Sequence, residues 1–268
     1  MKEGVELLTV EGVLASFRVQ ECKVPLGLEV FAEIDSTNRY MLDEAARGAV
    51  TGSVCIAQSQ TAGRGRRGKS WTAPAGNISL SLLWRFERSV EFVSGLSLVA
   101  GVAVAELVAS YAPDNVALKW PNDVLWAGKK MCGILVETVT PRDAGLATVV
   151  GIGLNVNMAE HLGKDITQPW TDLSTAAGRA LSCNEVAGRL LAALFEAIAE
   201  FDRDGLNALL ARWNRFDMLL GREVVATAVR GETRGIAKGI DSTGALLIDV
   251  DGVERAVLSG EVSLRPVP

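Results

Sequence analysis

The chain has 268 residues, 49% of them hydrophobic, enough for one large domain or for a catalytic domain with a smaller companion. Its 27 Lys and Arg against 32 Asp and Glu leave a net charge of −5, without the basic excess that marks non-specific DNA binding. Four scattered cysteines (Cys22, Cys55, Cys132, Cys183) form no CxxC pair and read as free thiols in a reducing cytosol. One histidine, His161, excludes a His-based zinc site and leaves a Ser-His-Asp triad only if His161 itself serves it.

Met1 to Glu11 carries charges throughout and lacks the apolar core of a signal peptide. Residues 29–34 (EVFAEI) read as a strand. Asp35-Ser36-Thr37-Asn38 then offers N-caps for a helix to Arg47, with Gly48 as its stop. Ser53 to Ala57 is a second strand, and 58–71 has no apolar period and reads as a loop. From Asn77 to Trp84, alternation places Ile78, Leu80, Leu82 and Trp84 on one strand face. Phe92 to Tyr111 is the most apolar stretch. It contains Ser94, Ser97, Gly101 and Glu106 and lacks basic flanks, so a core helix fits it better than a membrane span. Strand-like runs follow at 116–120, 131–139 and 146–156, then helical patterns at 184–202 and 205–216. After Gly221 come short β-rich runs at 223–229, 233–240, 245–250, 253–258 and 261–265. Asp241-Ser242-Thr243-Gly244 and Asp251-Gly252 punctuate them, which is the rhythm of a small β-barrel. A domain boundary is expected at 217–221, and the whole reads as a soluble cytoplasmic protein.

Four segments carry chemistry. In Gly63-Arg64-Gly65-Arg66-Arg67-Gly68-Lys69, four cations sit among three glycines. Glycines let backbone N–H groups close on an anion, and arginines grip phosphate or carboxylate in bidentate fashion. An RGG-like nucleic-acid tract or a solvated loop is the plain alternative. The acidic chain and the lack of interleaved aromatics weaken the nucleic-acid version. No GxxxxGK[ST] occurs, so ATP chemistry would need another scaffold than a P-loop. Lys119-Trp120-Pro121-Asn122-Asp123 ends a strand with a turn. Its Lys and Asp either line a cleft, neutralising phosphate and holding a metal, or form an ordinary surface salt bridge. In Gly128-Lys129-Lys130-Met131-Cys132-Gly133-Ile134-Leu135-Val136-Glu137, Lys130 either enters a pocket or sits in a solvated hairpin turn. Gly133 within the strand suggests close approach by a ligand. Gly151-Ile152-Gly153-Leu154-Asn155-Val156-Asn157 lacks the third glycine and the helix of a Rossmann motif.

In order and spacing, Asp35–Asn38, Gln60–Trp71, Lys119–Asp123, Lys129–Glu137, Gly151–Asn157 and the tail Ser259–Arg265 together resemble the biotin–protein ligase family over roughly residues 28–268. The resemblance implies an α+β fold. A mixed-sheet ligase domain shared with lipoate ligases, with helices on one side of the sheet, would be followed by a small C-terminal SH3-like β-barrel. It divides the chain into a connecting segment (1–28), a biotin- and ATP-binding catalytic domain (29–217) and the barrel (218–268). The winged-helix DNA-binding domain of repressor-type members does not fit within about 28 residues, and 4–17 looks like the connecting segment only. The chain therefore resembles the short class. ATP and biotin would be substrates, with Mg²⁺. The partner would be a biotin carboxyl carrier protein of acetyl-CoA carboxylase or a similar carboxylase. DNA and membrane are not expected, and a homodimer paired through sheet edges is.

The resemblance also implies residue roles. Ser36, Thr37 and Asn38, with Gln60, Gly63, Gly65 and Gly133, would form the biotin pocket, the hydroxyl and amide groups meeting the ureido ring. Arg64, Arg66 and Lys130 would flank the biotin carboxylate and the α-phosphate. Lys119, Asn122 and Lys69 would address the nucleotide. Asp123 would place Mg²⁺ or the basic residues. Gly153 and Asn155 would lie beside the adenylate. Residues 158–170 would order over it, with Trp170 against the adenine and Trp71 as a wall. Gly65 is expected to give the 58–71 loop the freedom to close and shield the adenylate. Lys69 stands where many members carry arginine, which keeps charge and loses bidentate geometry. Two rivals are a lipoate or octanoate ligase on the same fold and a biotin-sensing DNA-binding repressor. The second would need a helix-turn-helix and a basic face, and the blandest alternative is a nucleotide-binding module without catalysis.

Overall fold

A computed structural model describes residues 6–19, 27–140, 146–164, 166–228, 231–258 and 263–266. The first sheet has seven strands: β1 (Gly27–Ile34), β2 (Ser53–Gln60), β3 (Ile78–Phe86), β4 (Val116–Lys119), β5 (Asp123–Trp126), β6 (Lys129–Val139) and β7 (Leu146–Leu154), in the order β1-β2-β3-β7-β6-β5-β4. β1 and β2 are parallel and the other pairs antiparallel, so the sheet is mixed. The parallel pair is bridged by α2 (Thr37–Ala46), capped at Ser36, whose side chain accepts from the Arg39 N–H.

The alternating apolar face read at Ile78, Leu80, Leu82 and Trp84 is buried in one cluster with α5 (Cys183–Asp204), which packs on β3, and α3 (Leu96–Tyr111), which packs on β4 to β7. The segment Phe92–Tyr111 is long and apolar enough to cross a membrane, with a mean hydropathy of 2.0. Here it is the central core helix, apolar on all sides because it lies between the sheet and α5 and α6 (Leu210–Phe216). The expectation of helices on one side only does not hold. Met41 and Ala45 of α2 pack with Cys55, Leu83, Ala147 and Val149 on the opposite face. The strands there are buried on both faces, and the sequence shows it in the near-continuous apolar run of β7.

Three short elements escaped the periodicity: β5, α1 (Val10–Ser16) and α4 (Leu173–Ala177). Each is too short to show a repeat, and their signals are local: Thr9 caps α1 and Asp172 caps α4. Thr9 N–H also donates to Asn184 on α5, at 3.0 Å.

The second sheet is antiparallel, in the order β11-β10-β9-β8-β12, formed by β8 (Glu223–Ala228), β9 (Gly231–Ile240), β10 (Leu246–Val250), β11 (Val253–Val257) and β12 (Ser263–Pro266). Val224, Ala237, Leu246 and Ile248 join the same buried cluster as the first sheet. The Met218 N–H donates to the Leu118 carbonyl (3.0 Å), and Trp120 Nε1 donates to the Gly244 carbonyl (3.1 Å). The second sheet thus supports the Lys119–Asp123 segment from behind.

Candidate active site

Four segments distant in sequence meet in a cleft of about 270 Å³, near the lower end of small-ligand pockets. Its floor starts where β1 turns into α2. Ser36 and Thr37 are almost fully buried, at 2% and 4% exposure. Gln60, the last residue of β2, accepts from the Thr37 N–H at 2.8 Å and lies 3.1 Å from Thr37 Oγ1. Two hydroxyls and an amide therefore stand together at one end of the cleft, the set a polar ring needs.

The Gly-Arg segment forms a rim of the cleft. It is a compact hairpin: the Gly65 N–H donates to the Lys69 carbonyl (2.7 Å) and the Trp71 N–H to the Gly63 carbonyl (2.9 Å). The tip turns through a left-handed pair, Arg67 (φ 57°) and Gly68 (φ 72°). Gly65 is extended, at φ −122°, a conformation open to any residue. The conformational freedom assigned to Gly65 belongs instead to Gly68, because the reversal falls three residues later. Arg64 Nη2 donates to Glu137 Oε1 at 2.8 Å, and Arg66 Nη1 to Asn122 Oδ1 at 3.3 Å. Burial, and then the neighbouring Arg67, lower the pKa of Arg66, while Asp123 opposes them. A partly desolvated guanidinium beside a second one is a site that an anion relieves.

The β4–β5 hairpin and β6 supply the third wall. A cis Trp120-Pro121 bond makes the turn, and Lys119 pairs with Asp123 across it. Asn122 is fixed by two bonds to Ile134: its Nδ2 donates to the Ile134 carbonyl and its carbonyl accepts the Ile134 N–H, both at 3.0 Å. Lys130 Nζ lies 2.7 Å from Asp123 Oδ1 and 5.5 Å from the ring centre of Trp71. The Trp71 indole rests on Gly133 and Gly153, which are cross-strand partners on β6 and β7. What approaches Gly133 so closely is this ring.

Most of the expected site residues meet here, from Ser36 to Gly153, and Lys119, Asp123 and Lys130 all line the cleft. Gly63, Asn155 and Trp170 do not. Asn155 is buried, its Nδ2 donating to the Thr171 carbonyl at 3.0 Å. The Trp170 indole lies against Gly163, and its backbone bridges to Lys130. Among the described residues of 158–170 the one that lines the cleft is Gln168, which no pattern in the sequence marks; Arg67, Leu135 and Gly151, which lie in the singled-out segments without an assigned role, also line it.

Among the described residues no three His, Cys, Asp or Glu side chains cluster as metal ligands. Asp123 is the one carboxylate among the residues lining the cleft. That donor set suits a Mg²⁺ carried mainly by phosphate oxygens and water, with one protein carboxylate in reach. His161 is exposed on the short helix Glu160–Gly163 and stands outside the cleft. The described cysteines, Cys55, Cys132 and Cys183, are buried free thiols; Cys22 lies outside the described residues. Burial pushes the Cys55 thiol up to about 12 and Cys183 to about 11, and raises Cys132 as well. Alkylation of the native protein at pH 8 is therefore expected to leave these three unlabelled, since the thiolate is the reactive form. Peptide mass spectrometry after iodoacetamide checks this; rapid labelling of Cys132 would make it a candidate nucleophile.

Residues 30–157 match the Biotin/lipoate A/B protein ligase family, and residues 219–265 match the Biotin protein ligase C terminal domain. The chain is 37% identical over 98% of its length to the bifunctional ligase/repressor BirA of Salmonella typhimurium, covering 85% of that protein. It belongs to the biotin protein ligase family. Biotin--[acetyl-CoA-carboxylase] ligase of Mycobacterium tuberculosis is 40% identical over 88% of each chain. Among solved structures, the biotin protein ligase of Aquifex aeolicus in complex with biotin and ATP superposes with a TM-score of 0.76. It is 30% identical, and the match covers 90% of this chain and 99% of that one. The mixed sheet, its helices and the C-terminal antiparallel sheet are thus the biotin protein ligase fold.

Proposed function

We propose that this biotin protein ligase forms biotinyl-5'-AMP from biotin and ATP, and passes the biotinyl group to a lysine of a biotin carboxyl carrier protein or domain. The observation that carries the reading is the cleft itself. It gathers a hydroxyl–amide set (Ser36, Thr37, Gln60) and the cations Arg64, Arg66, Lys119 and Lys130 around one space. In the first step a biotin carboxylate oxygen attacks the α-phosphorus, the bond to the β-phosphate breaks, and pyrophosphate leaves. The attacking group is already an anion at neutral pH, so no protein nucleophile or base is required, and the buried thiols and a His161 outside the cleft are no handicap. The barrier is repulsion between carboxylate and polyphosphate. Fixed cations in a site that excludes water offset it. Mg²⁺, entering with ATP and within reach of Asp123, would supply further positive charge at the phosphates. In the second step the carrier amine attacks the acyl carbon, AMP leaves, and the amine gives up a proton.

Residues 29–217 would then be the catalytic domain, 218–268 an SH3-like support and 1–28 a connecting segment. Arg64 and Arg66 would face the carboxylate and α-phosphate, with Lys119, Asn122 and Lys69 at the nucleotide. Three buried thiols suit a reducing cytoplasm, and the open edge at β1 suits pairing between two copies. No DNA partner is proposed.

Pyrophosphate release that depends on both biotin and ATP, followed by transfer to a carrier domain, tests the reading; calorimetry with biotin against lipoate separates it from the rival on the same fold. Pyrophosphate release without biotin dependence would refute it. The Arg67–Gly68 turn sets how the rim closes over the adenylate. Gly68→Ala places a side chain at φ 72°, a strain of about 1 kcal/mol. It is expected to speed adenylate leakage about fivefold, with a smaller effect from Gly65→Ala. Stopped-flow leakage that ranks the two in the opposite order would contradict the assignment.

A further inference from the structure

Glu137 is an odd residue to find where two anions are to be gathered. It projects from β6 near the rim without lining the cleft, and its side chain is 23% exposed. Its two oxygens have separate duties. Oε1 takes Arg64 Nη2 at 2.8 Å, and Oε2 takes Asn38 Nδ2 at 3.0 Å. Asn38 is itself held: its Nδ2 also donates to the Leu135 carbonyl (3.2 Å), and its Oδ1 accepts from the Ser81 hydroxyl (2.6 Å). Ser81 in turn lies 2.8 Å from Thr37 Oγ1 on the cleft floor. Asn38 and Ser81 are buried, at 4% and 0% exposure. The carboxylate is therefore oriented from inside the protein before the arginine reaches it.

The hairpin bonds of the rim, Gly65 to Lys69 and Trp71 to Gly63, are internal to it and do not fix its distance from the sheet. Trp71 seats the base of the hairpin on the sheet, and Arg64 ties its near arm to β6 through Glu137 at 2.8 Å. A guanidinium has five N–H donors, so Arg64 can keep this tie and still present N–H groups to a ligand anion.

Building on the biotinyl-adenylate reading, we infer that Glu137 is a positioning residue that docks the Gly63–Lys69 rim through Arg64 and so retains the acyl-adenylate. It acts on Arg64 and touches no reacting atom. Glu137→Gln offers one acceptor where two donors converge. Arg64, which can turn to water, loses its tie, while Asn38 keeps its partner and the floor stays intact.

The test is adenylate dissociation measured by stopped flow in Glu137→Gln, in Arg64→Ala and in the double variant. Expected is release about fivefold faster in Glu137→Gln, the upper range for a partly exposed ion pair. The biotin KM should barely change, and Glu137→Gln should add nothing in the Arg64→Ala background. Unchanged release in Glu137→Gln, or an equal effect with and without Arg64, would overturn the assignment. If Glu137→Gln proves unstable, Glu137→Asp, which keeps the charge but shortens the reach, is read in the same cycle with the same outcomes. A wild-type chain that forms no adenylate overturns the parent reading, and is told apart because no variant is needed to see it.

Discussion

Lys130→Ala and Arg66→Ala are each expected to slow adenylate formation by about 10²–10³-fold, or roughly 3–4 kcal/mol, the usual effect of removing one preorganised donor at a developing charge. Their environments predict an order. Lys130 is the ion-pair partner of Asp123 at 2.7 Å, and both side chains are largely buried, at 16% and 21% exposure. Removing the ammonium leaves a carboxylate facing the polyphosphate, so one deletion removes an attraction and adds a repulsion. Removing Arg66 takes a donor from the neutral amide of Asn122 and leaves Asp123 still paired with Lys130. Lys130→Ala should therefore be the slower variant, and adding Asp123→Asn to it should recover part of the loss. Lys129, adjacent in sequence, is exposed and does not line the cleft, so Lys129→Ala should leave the rate unchanged. Single-turnover pyrophosphate release decides among these outcomes. Near-normal release from either Arg66→Ala or Lys130→Ala would remove that residue from the electrostatic account.

That account also explains what the sequence made legible. The segments of the cleft are short and polar, interrupted by glycine and proline, and each is ambiguous alone; their order along the chain is what made them readable together. Ser36 was one of four candidate helix caps, and as the cap it places Thr37 on the floor. Lys130 was visible because it leads an apolar strand. What stayed hidden depends on contacts between strands. Glu137 reads as one more polar position on β6 until Arg64 is seen across from it. Gln168 sits in a stretch with no period, and only the bridge between Lys130 and Trp170 brings that stretch to the cleft. Asn155 and Trp170 carry polar and aromatic groups that suit a ligand, and each also makes a contact within the fold, Asn155 to Thr171 and Trp170 to Gly163. Gly65 and Gly68 look equivalent on paper. Backbone angle alone distinguishes the one that turns.

Gly153→Ala is expected to raise the biotin KM by tenfold or more and lower kcat with it, although the residue contributes no functional group. Gly133 and Gly153 face each other across β6 and β7 and leave a trough in the sheet in which the Trp71 indole lies. A Cβ at Gly153 would stand 2.4 Å from indole Cε2 and Nε1, and one at Gly133 would stand 3.0 Å from Cζ3. Ordinary carbon contacts begin near 3.5 Å, so the ring must lift by roughly an ångström, and the open side is the cleft. Lys130 Nζ, 5.5 Å from the ring centre, is carried along or loses its neighbour. A displacement of that size at a reacting site costs up to about 10²-fold, while overpacking costs about 1–3 kcal/mol of stability, so the variant should still fold. A smaller ring discriminates the cause: adding Trp71→Phe to Gly153→Ala should restore part of the biotin affinity, because the clash is with indole Cε2, Nε1 and Cζ2 and a phenyl ring is the smaller body. If Gly153→Ala binds biotin like the wild type, the ring does not lie on the glycine pair in solution, and Trp71 ceases to be a wall of the site.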